Sequence, residues 1–100
     1  VRDKKDDKYL RVKVAKAMTG TQNLHALKAM ADVVRDKKDD TYVRREAATA
    51  LTDTQDDDAL KAMADVVRDK KDDKYLRVKV AKAMTGTQNL HALKAMADVV

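Results

Sequence analysis

Cysteine, proline, tryptophan, phenylalanine and serine are all missing from this 100-residue chain, and glycine occurs only twice. Without cysteine there is no disulfide framework, no thiol nucleophile and no thiolate metal site. Without serine there is no serine triad, and a single glutamate, Glu46, excludes catalysis by paired glutamates. Tyrosine, present three times, is the only aromatic residue. No apolar run approaches a membrane span and no apolar h-region marks a secretory leader, so the expected location is cytoplasmic. With no proline and little glycine, nothing interrupts a helix. What remains is a 44% apolar content drawn mainly from Ala, Val, Leu and Met, and 22 Lys+Arg against 17 Asp+Glu, a net charge of +5. These proportions describe a strongly helical chain of single-domain size with no evident catalytic apparatus and no cofactor requirement.

Comparison of the sequence with itself reveals a period of 33 residues. Residues 1–33, VRDKKDDKYLRVKVAKAMTGTQNLHALKAMADV, are identical to residues 67–99. Residues 34–66, VRDKKDDTYVRREAATALTDTQDDDALKAMADV, differ from them at eleven positions. Val100 opens a fourth copy, so residues 1–100 read as one tandem array of repeats 1–33, 34–66 and 67–99. Tyr9, Tyr42 and Tyr75 are then a single repeat position. The perfect identity of two copies points to engineering or to very recent duplication. The unfinished fourth copy suggests a fragment or product of a longer array.

Each repeat holds two helical segments. In the middle copy Val43, Ala47, Ala50 and Leu51 fall on one helical face. Asp40, three residues before Val43, is placed to accept orphan N–H groups, giving helix A from roughly Asp40 to Thr52. Gly20 and Gly86 follow the last turn of this helix in the outer copies, where a left-handed cap is favoured; Asp53 stands there in the middle copy. Helix B follows, capped by Asn23, Asp56 or Asn89, with Leu27, Met30, Ala31, Val33 and Val34 as its apolar stripe. The run RDKKDD closes helix B and caps the next helix A. One such hairpin cannot bury both stripes, whereas stacked neighbours can. The expected fold is therefore all-α, a solenoid of stacked antiparallel helical hairpins.

The period is compatible with ankyrin and tetratricopeptide repeats, but T-P-L-H-x-A and the Trp, Leu-Gly and Pro positions of those families are missing. The segment YVRREAATAL, Tyr42–Leu51, instead resembles helix A of HEAT-like repeats, with Asp40 matching the capping aspartate. Residues Asp56 to Val67, with Leu60, Met63, Ala64, Val66 and Val67 at apolar positions, resemble its second helix. The likeness is to the short bacterial and archaeal repeats of the phycobilisome-lyase type, and to designed HEAT-like scaffolds. Val12 and Val78 depart from it, standing where the middle copy has Arg45. The resemblance implies a fold and an interaction role without specifying a partner. It also implies that the B helices line a concave surface, which would carry Lys28, Ala29, Asp32, Lys61, Ala62, Asp65, Lys94, Ala95 and Asp98.

Candidate chemistry is sparse. Asp53, Asp56, Asp57 and Asp58 lack the spacing and glycine of a calcium loop, and acids in a first helical turn are explained by the dipole. His25 and His91 occupy equivalent positions two repeats apart, about 20 Å at about 10 Å per helix layer, too far to share a metal. The methionines, at helical spacing, read as core filler. Local charge is +4 in the first repeat, −3 in the second and +4 in the third, so it alternates along the array. That interruption, with no aromatic platforms, makes nucleic acid a minor alternative partner. Val12, Leu24, Val78 and Leu90 are apolar where the middle copy is charged, and are the candidate association positions.

Taken together, the residues describe a non-catalytic scaffold for a protein or peptide partner. The alternative is head-to-tail self-assembly, because neither terminal repeat has the atypical polar face that caps a solenoid.

Overall fold

An aspartate or asparagine side chain closes the N-terminus of each of the six described helices, none of which has a proline to start it. The computed structural model describes residues 7–100. Among them are α1 (Lys8–Ala17), α2 (Leu24–Arg35), α3 (Thr41–Ala50), α4 (Asp57–Arg68), α5 (Lys74–Ala83) and α6 (Leu90–Val99), with no strand. The first copy of the RDKKDD run, expected to close one helix and lead into the next, lies outside the described residues up to Asp6. Asp40 accepts the Val43 N–H at 3.0 Å and Asp73 that of Leu76 at 2.8 Å. Asn23, Asp56 and Asn89 cap α2, α4 and α6 in the same way. Caps of this kind contribute about 1 kcal/mol each.

Helices α1, α3 and α5 pack side by side in one layer, and α2, α4 and α6 in a second. The layers are joined chiefly by α2 against α3 and α4 against α5, so the main cross-layer packing bridges a repeat boundary. This all-α arrangement is a helical-repeat solenoid, 36 × 29 × 16 Å in extent. The expected apolar stripes are buried: Val43, Ala47, Ala50 and Leu51 on α3 and its end, and Leu27, Met30, Ala31, Val33 and Val34 on α2. Met63 and Met84 also fill the core, while Met18 and Met96 are only partly covered. Alanines 31, 47, 48 and 59 are fully buried and let neighbouring helices approach closely.

The turns from the first to the second layer correct one expectation. Gly20 has φ 76° and Asp53 has φ 65°, both left-handed, whereas Gly86 does not adopt that conformation. Aspartate tolerates the left-handed region better than most side chains, which is why the middle copy can dispense with glycine. The same turns tie repeats together. The Gly20 N–H donates to the Ala50 carbonyl and the Asp53 N–H to the Ala83 carbonyl, each at 3.2 Å.

Candidate functional site

The run RDKKDD divides its labour residue by residue. Asp36 ends α2 and folds the turn, accepting the Lys38 N–H at 3.0 Å. Lys37 reaches the next repeat and pairs with Asp69. The ion pair, exposed at Lys37 and half-buried at Asp69, raises the Lys37 pKa and lowers that of Asp69, each through the hydrogen bond between them first. Asp40 caps α3. Asp39, between them, is buried and receives a guanidinium from the preceding repeat.

That guanidinium belongs to Arg11, whose Nη1 and Nη2 donate to the two Asp39 carboxylate oxygens at 2.7 and 2.6 Å. One repeat on, Arg44 grips Asp72 at 2.9 and 2.8 Å, and its Nε and Nη2 also donate to the Val34 carbonyl. Arg77 makes the corresponding bonds to the Val67 carbonyl, at 3.0 and 2.7 Å. The guanidinium hydrogen bonds hold the Asp39 and Asp72 carboxyls below the usual carboxylate range, against the opposing effect of burial. Arg11 and Arg44 are 3% and 2% exposed, so this ladder binds repeat to repeat and cannot reach a ligand. Sequence reading passed over it. The available signal was an arginine and an aspartate unchanged in every copy, the arginine set beside the apolar stripe of helix A.

With this stacked-helix geometry, the family model for HEAT repeats matches residues 2–85. The chain belongs to the HEAT-repeat family. No curated protein and no solved structure matches it.

Two broad faces of the HEAT array are open to solvent. On the α2, α4 and α6 layer, Lys28, Asp32, Lys61, Asp65, Lys94 and Asp98 are all exposed. The alanines expected beside them are not surface residues: Ala62 and Ala95 are buried and Ala29 is half-buried, packed on the core. These helices are cross-linked at the rim, Arg35 to Asp58 at 3.0 Å and Arg68 to Asp98 at 3.5 Å. Between α2 and α4, Arg35, Lys37, Asp65, Asp69 and Asp72 border a shallow charged groove of about 210 Å³.

On the α1, α3 and α5 layer, Tyr9, Tyr42 and Tyr75 are exposed, each with a cation 5.4 to 5.6 Å from its ring centroid: Lys13, Arg45 and Lys74. Lys13, Lys16, Lys79 and Lys82 are exposed here and pair with no carboxylate among the described residues. Arg45, Tyr75, Val78, Lys79 and Lys82 line a cleft of about 180 Å³ between α3 and α5. The three tyrosines thus form a surface row flanked by cations.

The four apolar candidates do not form one patch. Val12 is buried at 5% exposure, a correction to its assignment as a surface residue, whereas Val78 is 49% exposed. The difference has a simple cause. This helix position faces the following repeat; Val12 has α3 packed there, and no described helix lies on that side of α5. Leu24 and Leu90 are exposed on the first turns of α2 and α6, with α4 and its Asp57 between them. The acidic knot is used structurally: Asp56 caps α4, Asp57 accepts from Asn89 at 3.0 Å and Asp58 pairs with Arg35. His25 and His91 are exposed. Among the described residues no cluster of three His, Cys, Asp or Glu could hold a metal, and no helix is long and apolar enough to cross a membrane.

Proposed function

We propose that this HEAT array is a non-catalytic protein-interaction scaffold whose partner lies along the exposed face of α2, α4 and α6. The observation that carries this reading is the row Lys28, Asp32, Lys61, Asp65, Lys94 and Asp98, which repeats one lysine–aspartate pair on three stacked helices. A row of alternating charge on a stiff stack suits an extended polypeptide with opposite charges at matching intervals. HEAT repeats generally mediate protein interactions, which supports the same reading. The face has no aromatic anchor, so affinity is spread over many weak polar contacts. The helix-A pattern YVRREAATAL supports a short-repeat, phycobilisome-lyase type, and the identical first and third copies support an engineered or recently duplicated array. Affinity capture with the chain and with Lys61→Glu/Asp65→Lys tests the reading. Both residues are exposed, so folding is retained and partner recovery is expected to fall. Undiminished recovery of every partner sinks it.

A second reading is favoured by the tyrosines of the α1, α3 and α5 layer and by its lysines, which pair with no carboxylate among the described residues and suit a polyanion such as nucleic acid. Glu46 and Thr49 interrupt its charge in the middle repeat. Titration of single-stranded DNA at rising salt distinguishes it. Binding that weakens steeply with salt and is lost on Lys79→Glu/Lys82→Glu supports this face; no binding at low salt removes it.

A further inference from the structure

We infer that the cleft between α3 and α5 binds one phosphomonoester, carried on a phosphorylated segment of a protein partner. The repeats supply their own comparison. Five positions line this cleft: Arg45 from α3, with Tyr75, Val78, Lys79 and Lys82 from α5, three cations and no acid. One repeat earlier, the same five positions are Val12, Tyr42, Arg45, Glu46 and Thr49, one cation beside one acid. Three of the eleven differences between the middle copy and its neighbours thus gather positive charge at one joint of this layer and cancel it at the other. Lys79 and Lys82 lie three residues apart on one face of α5. Arg45 stands on α3, half-buried, its guanidinium 5.6 Å from the Tyr42 ring centroid.

Elsewhere the chain neutralises the cations at its joints: Lys8 by Asp40, Lys37 by Asp69, Arg35 by Asp58 and Arg68 by Asp98. Arg45, Lys79 and Lys82 pair with no carboxylate among the described residues. Three like charges around one cleft repel, and an anion entering it relieves that repulsion as well as making contacts. A phosphomonoester carries about −1.5 to −2 charges at pH 7 and three acceptor oxygens, enough for a guanidinium fork and two ammonium groups together. The cleft, about 180 Å³, admits a phosphate head and the start of its stem, below the roughly 300 Å³ of pockets that enclose whole small molecules. The exposed Tyr75 ring and Val78 flank the stem. A phosphate on a partner's side chain meets these limits while its peptide runs over the open rim. A nucleic-acid backbone fits less well, because Glu46 and Thr49 break the positive charge between the lysines of α1 and those of α5.

NMR titration of the full, isotope-labelled chain tests this. The probe is a blocked glycine peptide carrying one phosphoserine; its unphosphorylated form, inorganic phosphate and a single-stranded oligothymidylate are the other arms. The phosphopeptide is expected to shift the signals of Arg45, Tyr75, Lys79 and Lys82 saturably, with the unphosphorylated peptide silent and inorganic phosphate weaker. Arg45→Val and Lys79→Glu/Lys82→Thr each weaken binding by about tenfold or more, as the loss of a charge-assisted hydrogen bond does. Each exchange installs a residue that the same repeat position already carries in another copy, so the fold is retained. Lys13→Glu/Lys16→Thr is the same exchange on α1 and leaves binding unchanged. The inference is overturned by shifts that never saturate or that scatter over α1, by inorganic phosphate binding as tightly as the peptide, or by equal losses from the α1 and α5 exchanges. A tighter oligothymidylate complex that needs the α1 lysines as much as those of α5 also overturns it, in favour of a nucleic-acid face. None of these outcomes depends on what the α2, α4 and α6 face binds.

Discussion

Arg44 and Arg77 occupy one repeat position, yet among the described residues Arg44 holds both a carbonyl and a carboxylate, and Arg77 a carbonyl alone. Removing Arg44 strands the buried Asp72 carboxylate, and loss of one partner of such a pair costs about 3–5 kcal/mol. Arg44→Ala is therefore expected to lower the urea midpoint far more than Arg77→Ala. Arg44→Lys recovers little, because an ammonium cannot reproduce the planar fork. The same pairs set the acid limit of the fold. Asp39 and Asp72 have depressed pKa values in the folded chain, so their contribution is complete above the unfolded carboxylate value of about 3.9 and is lost as pH falls through the lower folded values. Thermal melts are expected to be nearly flat from about pH 7 to 5 and to drop below about pH 4. In Arg44→Ala that drop becomes shallower, since its Asp72 component is gone.

At the level of the helix, capping and turns offer two signed tests. Asp40→Ala removes the acceptor of the Val43 N–H and is expected to destabilise by about 1 kcal/mol in urea denaturation. Asp53 holds φ 65°, so Asp53→Gly relieves a left-handed side chain and is expected to stabilise by a few tenths to about 1 kcal/mol. The elements themselves were readable in advance: the stripe Val43, Ala47, Ala50 and Leu51 and the caps Asn23, Asp56 and Asn89 all stand where the pattern put them. Two things were not readable. Helical phase taken from the middle copy treats every copy alike, so it could not separate buried Val12 from exposed Val78, whose surroundings differ only in which repeat follows. The pairing of Arg11 with Asp39 lies 28 residues apart in sequence and depends on how repeats stack, which no helical wheel contains. The charged face of α2, α4 and α6 was legible as polar positions, but the depth of Ala62 and Ala95 was not.

The molecule as a whole is a row of nearest-neighbour contacts. Among the described residues, α3 and α4 have a helix of their own layer on both sides, whereas α1 and α6 each have one on one side only. Amide exchange is accordingly expected to be slowest in α3 and α4 and fastest toward α1 and α6, with graded protection; uniform protection across all six helices would contradict it. The cross-repeat links have a further consequence for kinetics. Arg11 meets a partner 28 residues downstream and Asn89 one 32 residues upstream, so no described side-chain hydrogen bond reaches beyond about one repeat length. Loop closures of this modest and uniform length carry similar entropic costs, and low contact order places folding in the microsecond-to-millisecond range typical of helical proteins. During synthesis, a repeat can consolidate as soon as the next has left the ribosome, without waiting for any distant segment to return.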